Sequence, residues 1–364
     1  MSVLPPRLAD SIIFDQYSRY NAVAQVVRML DQAGEDKGRV GKLLDVGSGP
    51  YCLLADFLPD SDITFLDPLL SSIKTSHRII TESFFDLNIE NRDRQFNTVV
   101  SIDTFEHIPP ELRDDFLSRC SRLASDYLIL GFPSSDTNAA YEVDQEVHNQ
   151  YYEVFGSEYL WLKEHREYGL PSAKDTATKL NGMGWNISMF GNGRIEWLYD
   201  LLPLIVLLNE FPDMKLAVQR ISAKFNKEFA PFDFCSTGYR VFIVASRNAS
   251  PDGFSFIKSE PSDLNKKWAS LKKEVFLECI KSLKNSVLSK IDNFGGQVQE
   301  LNNALFKQGE WGKSLEFDIK SRDAEINRLN AVLAEQSEWT RVLTRDIEIR
   351  DAEIFRLQDL IKNT

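Results

Sequence analysis

The sequence predicts an α/β protein, a doubly wound sheet with helical insertions, followed by a long α-helical coiled coil. Three observations predict this. Short apolar runs alternate with helical patterns up to about residue 247. A glycine-rich turn, "LLDVGSGPYC" at 43 to 52, follows the first such run. After about residue 263 the apolar period becomes seven.

The strand candidates, in order, are "GKLLDVG", "DITFLD", "FNTVVSID", "DYLILGFP", "WNISMFG" and "RVFIVASR". Most are apolar throughout rather than alternating, as expected for a sheet covered on both faces. Helical stretches such as "PELRDDFLSRCSRLAS" and "SAKDTATKLNGMG" lie between them. Two segments, 138–171 and 195–238, are longer than a simple connection and read as insertions in a domain spanning 1–247. The second contains the apolar run "LLPLIVLL" (201–208), too short to span a bilayer and broken by Pro203, and it reads as a buried helix. The stretch 248–263, "NASPDGFSFIKSEPSD", has the Pro, Gly and Ser of a linker.

From 264 to 364 one heptad register places Ile319, Ile326, Leu333, Ile347 and Ile354 at a, and Leu315, Leu329, Leu343 and Leu357 at d. That is a coiled-coil pattern. "EWGKSLEFDIKSRDAEINRLN" (310–330) returns as "EWTRVLTRDIEIRDAEIFRLQ" (338–358), an offset of 28 residues, so the seam stays in phase. Some 75 residues at about 1.5 Å each reach roughly 110 Å. Gln308, Arg322, Gln336, Thr340 and Arg350 on the seam would form polar layers that fix register. A homo-oligomer is expected, dimer or trimer, by the coil.

Bulk composition narrows the function. The 364 residues are 43% hydrophobic and 26% charged, which supports a packed core. The formal net charge of −12 argues against nucleic acid and anionic membrane surfaces as direct partners. Cys52, Cys120, Cys235 and Cys279 are widely spaced, without the pattern of a zinc site or disulfide framework, so a reducing, cytoplasmic setting is expected. "MSVLPPRLAD" lacks the features of a secretory signal.

The glycine turn identifies the ligand class by charge. A dinucleotide fingerprint needs Gly-x-Gly-x-x-Gly. Here Gly47 and Gly49 are present, but Cys52 stands at the third place, and Asp45 would repel a pyrophosphate. S-adenosylmethionine has no phosphate; it carries an ammonium group, a sulfonium and a ribose diol. Asp45 suits the ammonium, and the glycines let the backbone approach. Asp67, ending the next strand candidate, can accept ribose hydroxyls. No metal is expected.

With those residues stated, "LLDVGSGPY", "ITFLDP", "FNTVVSIDTFEHIPPE" and "YLILGFP" together resemble the successive motifs of class I S-adenosylmethionine-dependent methyltransferases, over roughly residues 15 to 190. The resemblance implies a Rossmann-like methyltransferase domain. It implies that Asp45, Gly47 and Gly49 hold the methionine end, Asp67 the ribose and Pro68 the adenine, with Asp103 and its neighbours beside the sulfonium. Many members have an Asp for the adenine amine where this chain has "ITESFFD"; Ser83 or the backbone at Phe84 takes that place.

In a doubly wound sheet the acceptor sits beyond the carboxyl ends of the strands, so the two insertions are its candidates. Transfer to a hydroxyl needs a base, and His148 and His165 are the expected catalytic residues. His107 reads as a packing or capping residue. Asp144, Glu146 and His148 alternate and would share one face if they lay on a strand, an arrangement open to a metal but equally readable as a solvated helix. The aromatics and acids of 138–171 suit a sugar.

A domain of this kind fused to a coiled coil also resembles methyltransferases of bacterial surface-polysaccharide synthesis. That resemblance implies capping of an O-antigen glycan, a lipid-linked acceptor, the coil as spacer, and a place at the inner membrane through synthesis or export proteins. Two other readings stand beside it: a small-molecule methyltransferase, and a coiled-coil scaffold with a vestigial donor-binding domain.

Overall fold

The computed structural model describes residues 6–33, 41–72, 75–90, 92–248, 253–307 and 312–362. Part of the N-terminal stretch (1–5), part of the expected linker (249–252), the first "QGEW" (308–311, with Gln308) and Thr364 lie outside the described residues.

Eight strands form one sheet: β1 (Lys42–Val46), β2 (Asp62–Leu66), β3 (Arg78–Ile80), β4 (Phe96–Ile102), β5 (Ala124–Pro133), β6 (Asn186–Asn192), β7 (Phe234–Cys235) and β8 (Arg240–Ser246). Their spatial order is β3-β2-β1-β4-β5-β8-β6-β7. The first five pair in parallel. The eighth runs antiparallel to both its neighbours, β5 and β6. This is the Rossmann-like, doubly wound arrangement expected, with the order reversing between β1 and β4. All six strand candidates are present. The two short strands, β3 and β7, carry too few residues to show a period in sequence.

The reversal of the eighth strand has a consequence for chemistry. Its register sets Arg240 opposite Pro133 and Asn192. The first residue of an antiparallel strand therefore lies with the last residues of the parallel ones, at the carboxyl edge where ligands bind.

The helices are α1 (Pro6–Ser11), α2 (Phe14–Ala33), α3 (Leu54–Phe57), α4 (Arg113–Leu123), α5 (Ala139–Phe155), α6 (Leu160–Tyr168), α7 (Ala173–Gly182), α8 (Ile195–Asn209), α9 (Lys215–Glu228), α10 (Leu264–Lys307) and α11 (Gly312–Lys362). One apolar layer joins α4 and α7 to the sheet through Phe116, Leu117, Leu180 and Trp185. The layer on the other face joins α2, α8 and α9 through Val23, Val27, Trp197 and Phe225. Ser172 caps α7, its hydroxyl accepting from the Asp175 amide at 3.1 Å, as its position before an apolar-periodic run favours.

The segment 195–238 differs from its reading as an acceptor insertion. Trp197, Phe225 and Phe229 are buried and pack edge to face. Asn226 donates to the carbonyls of Ala9 and Ile12, tying the segment to the N-terminal helices. Most of it covers the sheet, and α8 is the buried helix its apolar run predicted, with Leu201, Pro203 and Ile205 inside.

The expected linker and the start of the coil also differ. Phe254 and Phe256 contact the ring of Phe190, so the middle of 248–263 is packed. Leu264, Trp268, Leu271 and Val275 are buried in the same apolar layer, with Trp268 against Trp197. The chain accordingly divides into compact units at 286/287 rather than at 263: the first is Met1–Ser286, the second Val287–Thr364.

In the second unit α11 runs unbroken for 51 residues. Its described heptad residues face no core of their own: Leu343 is 51% and Leu357 56% exposed. Among the described residues, no helix is long and apolar enough to cross a membrane.

Candidate functional site

The site begins where β1 ends. Asp45 lies on a strand whose last four residues are all buried, and it is only 1% exposed. The chain then turns through Gly47 and Gly49, both at positive φ (74° and 64°). A Cβ on Gly47 would stand 2.2 Å from Thr104 Oγ1, whereas nothing lies within 4 Å of one on Gly49. Gly47 thus serves close packing, and Gly49 leaves space into which a ligand can come.

Asp67, at the tip of β2, braces this turn. Its Oδ2 accepts from the Gly49 amide at 2.9 Å and its Oδ1 from the Leu69 amide at 2.8 Å. Asp45 is treated differently: its Oδ2 has no hydrogen-bond partner. Burial, and then the neighbouring Asp67, push its carboxyl up to about 7. Tyr20 of α2 reaches the same turn, its hydroxyl 3.5 Å from the Ser48 carbonyl. Cys52, at the place of the missing third glycine, holds φ 50°, and burial followed by Asp45 and Asp67 pushes its thiol up to about 11.

Pro68 is exposed and opens the turn Pro68–Ser72. Ser83 uses its hydroxyl oxygen to accept from the Phe85 amide at 3.3 Å. The Phe84 side chain is buried against Phe116, ring centroids 4.9 Å apart, so only its backbone remains available at the site.

At the tip of β4, Asp103, expected beside a sulfonium, is held by two arginines. Its two oxygens accept from Arg240 Nε at 2.6 and 2.8 Å, and Arg19 Nη1 donates to it as well. Arg240 also pairs with Asp15 at 2.8 Å. Burial alone would raise the Asp103 carboxyl, but Arg240 and Arg19 outweigh it and hold it well below the usual carboxylate range. Asp103 sits at φ 46°, strained for a non-glycine residue, and its amide donates to the Gly131 carbonyl at 2.8 Å.

Beyond this knot lies a cluster of imidazoles. The turn Phe105–His107 follows β4 and carries Glu106, 1% exposed, and His107. Glu106 Oε1 is 4.0 Å from His107 Nε2 and 4.0 Å from His165 Nε2. On the far side of each ring a carboxylate meets Nδ1: Asp144 at 2.7 Å for His165, and Glu164 at 2.7 Å for His107. A proton held at Nδ1 leaves each Nε2 with a free lone pair. Tyr239 fixes Asp144 in turn, its hydroxyl donating to Oδ1 at 2.6 Å. Burial, then Asp103, raises the Glu106 carboxyl well above its ordinary value. Burial, then His165, lowers His107. A cavity of 390 Å³ bounded by Thr137, Tyr141, Asp144, His165 and Gly169 opens beside the cluster.

Of the two expected bases, His165 is in this cluster and His148 is not. His148 is half-buried one turn along α5, its ring 6.0 Å from that of Tyr152. The alternation of Asp144, Glu146 and His148 falls on a helix, which puts successive alternate residues on different faces. Asp144 turns to His165 and Tyr239, whereas Glu146 accepts from Gln150 and Tyr199. Arg19, Tyr20, Glu106, Tyr239 and Arg240 carry no sequence signal of their own; the convergence of α2, the end of β4 and the start of β8 assembles them. His107, directly after a strand tip, was singled out in sequence and read as a packing or capping residue.

No protein-family description and no curated protein matches the chain. Solved structures do. It is similar to magnesium protoporphyrin IX methyltransferase from Synechocystis PCC 6803 with bound SAM, at 14% identity over 65% of this chain and 82% of that one, TM-score 0.36. It is similar to the plantazolicin methyltransferase BpumL in complex with SAH, at 9% identity over 65% and 85%, TM-score 0.40. A possible histamine N-methyltransferase from Thermotoga maritima matches at 10% identity over 65% and 93%, TM-score 0.39. At these identities and scores nothing about activity or ligand follows. The sheet order itself gives the chain a Rossmann-like, doubly wound fold.

Proposed function

We propose that this chain is an S-adenosylmethionine-dependent O-methyltransferase of the class I kind, acting on a sugar hydroxyl of a bacterial surface glycan. The observation that carries the donor assignment is Asp45: a buried carboxylate oxygen with no partner, at the tip of β1, beside open space at Gly49. A buried carboxylate without a partner is costly and fits a cationic group. A pyrophosphate there would add repulsion. Asp67 keeps lone pairs beyond the two amides it accepts and can take ribose hydroxyls.

When bound, the donor would supply a methyl group on a sulfonium: the acceptor oxygen would bond to that carbon in line as the carbon–sulfur bond breaks, and the sulfur would leave as a neutral thioether. The chain must hold that oxygen and let its proton leave. The Glu106–His107–His165 cluster suits that role, His165 being the member that lines the 390 Å³ cavity, with Asp144 and Tyr239 orienting it. Support for a sugar comes from Trp161, 57% exposed, its ring 6.4 Å from and edge-on to that of His107. A pyranose stacked on Trp161 would bring a hydroxyl to the cluster. The cavity's size also suits a compact acceptor, which favours a small-molecule methyltransferase as second reading.

The C-terminal helices fit assembly of copies, dimer or trimer, with the heptad residues as seam. The full chain is then expected to sediment as an oligomer and a chain ending at Ser286 as a monomer; a monomeric full chain at micromolar concentration removes the rod. Capping of an O-antigen chain and docking at the inner membrane through synthesis or export proteins rest on the resemblance alone. The test of the activity is transfer from labelled S-adenosylmethionine into lipid-linked glycan, small metabolites, protein and nucleic acid. Label in the glycan supports the sugar reading, and label in metabolites the second. Donor binding without label in any fraction removes both acceptors, and no donor binding leaves a vestigial scaffold.

A further inference from the structure

We propose that Glu106, His107 and His165 bind a divalent first-row metal ion, of the zinc or cobalt class, with an open position for the acceptor oxygen. The inference rests on the methyl-transfer reading only for that open position's use; the metal site stands on its own geometry.

Two imidazoles and one carboxylate are a recurrent donor set for such ions, with the remaining position open in catalytic sites. One atom from each of the three residues lies within 4.8 Å of the others. A tetrahedral ion spaces its ligands about 3.4 Å apart, so contraction of roughly half an ångström per ligand closes the site. At 4.0 Å neither imidazole hydrogen-bonds Glu106, so the three groups face one another without satisfying one another. Glu106 Oε2 is buried and has no partner at all. An ion between the three supplies what each lacks.

The outer contacts are already those of a ligand shell. Metal-bound histidines commonly pass their other ring nitrogen to a carboxylate, which fixes the tautomer. Here both do so, His165 to Asp144 and His107 to Glu164. Asp144 is in turn held by Tyr239. Two histidines in one cluster with the same carboxylate–imidazole arrangement, converging on one buried acid, are hard to account for as packing alone. Thr104, two residues before Glu106, hydrogen-bonds the Gly47 carbonyl at 3.3 Å, so the cluster is tied to the donor turn. The site's ligands come from the end of β4 and from α6, segments far apart in sequence, which is why residue spacing did not suggest a metal.

The test uses the full-length chain stripped with chelator and titrated with cobalt(II), read by visible absorption and calorimetry. One cobalt per chain is expected, with ligand-field bands that zinc(II) abolishes. His107→Gln and His165→Gln should each weaken binding at least 100-fold. Asp144→Asn, a positioning residue, should weaken it about 10- to 100-fold. Asp45→Asn should leave cobalt binding unchanged. Circular dichroism checks that each variant is folded; His107, partly exposed, is the variant least burdened by misfolding. Absence of stoichiometric cobalt binding, or binding unaltered in folded His107→Gln and His165→Gln, overturns the proposal. S-adenosylmethionine binding is measured on the same samples. Donor binding without cobalt binding rejects the metal and keeps the donor site, whereas cobalt binding without donor binding keeps the metal and rejects the methyl-transfer reading.

Discussion

Two aspartates at the ends of adjoining parallel strands, Asp45 buried and Asp103 partly so, have opposite fates. Asp45 lies near the end of β1, Asp103 follows β4, and the two strands pair directly. Asp45 keeps an oxygen without a partner, and burial pushes its carboxyl up to about 7. Asp103 meets Arg240 and Arg19, which overcome burial and hold it low. One carboxylate is left for a ligand and the other is used by the fold. The difference lies in what the neighbouring elements bring: β8 starts with Arg240, which reaches Asp103, whereas among the described residues Asp45 Oδ2 meets no partner.

The largest expected effect breaks the paired side. Asp103→Ala leaves the buried guanidinium of Arg240 and the half-buried one of Arg19 with Asp15 as their remaining ion-pair partner, and should destabilise the chain by about 3–5 kcal/mol in urea unfolding. A loss under about 1 kcal/mol would mean that solvent reaches Arg240, and the contrast with Asp45 would vanish.

Asp45→Asn tests the unpaired side. Donor binding should fall by about 2–5 kcal/mol in calorimetry, the cost of removing one partner of a buried charge pair. The ligand-free variant should nevertheless be more stable than the parent at pH 8, by about 1–3 kcal/mol, because it no longer ionises a buried acid. Donor affinity unchanged by this substitution would sink the assignment of the ammonium to Asp45.

The pH dependences should have opposite signs. The folded Asp45 carboxyl titrates near 7, above its unfolded value, so its contribution is complete below the unfolded value and is lost as pH rises through about 7. Asp103 is depressed, so its contribution is present above the unfolded value and lost as pH falls through the folded one. Urea unfolding of the parent between pH 3 and 9 should show the alkaline loss, and Asp45→Asn should reduce it, leaving the part that the raised carboxyls of Glu106 and Asp233 contribute, while the acid loss remains.

The smallest expected effect on the fold is at Asp67. Asp67→Ala removes the acceptors of the Gly49 and Leu69 amides, costing about 1–3 kcal/mol of stability, and should abolish donor binding while the chain still folds. Full donor affinity in that variant would show that the ribose is held elsewhere.

Much of the donor end was legible in sequence, because Asp45, Gly47 and Gly49 lie on one turn and Asp67 ends the next strand. Local order dictates local geometry there: a glycine at positive φ and an acid at a strand tip mean the same thing wherever the rest of the chain goes. The acceptor end was legible only in part. His165 was expected, but its partners Asp144, Glu106 and Tyr239 come from three other segments. The pairing of Asp103 was not legible because its arginines stand 84 and 137 residues away. The start of the coil was also misplaced, since Trp268 and Leu271 fit the heptad pattern's surroundings yet are drawn into the aromatic layer around Trp197.

By itself, then, the sequence determined the strands, the glycine turn, the acids at the strand ends beside it and the helical period of the C-terminal segment, because backbone preference and apolar periodicity act over a few residues. Tertiary structure decided which buried charge is paired and which is free. Pairing depends on which side chains a reversed strand and an N-terminal helix deliver to one sheet edge, and burial then turns each meeting, or its absence, into a large change in proton affinity.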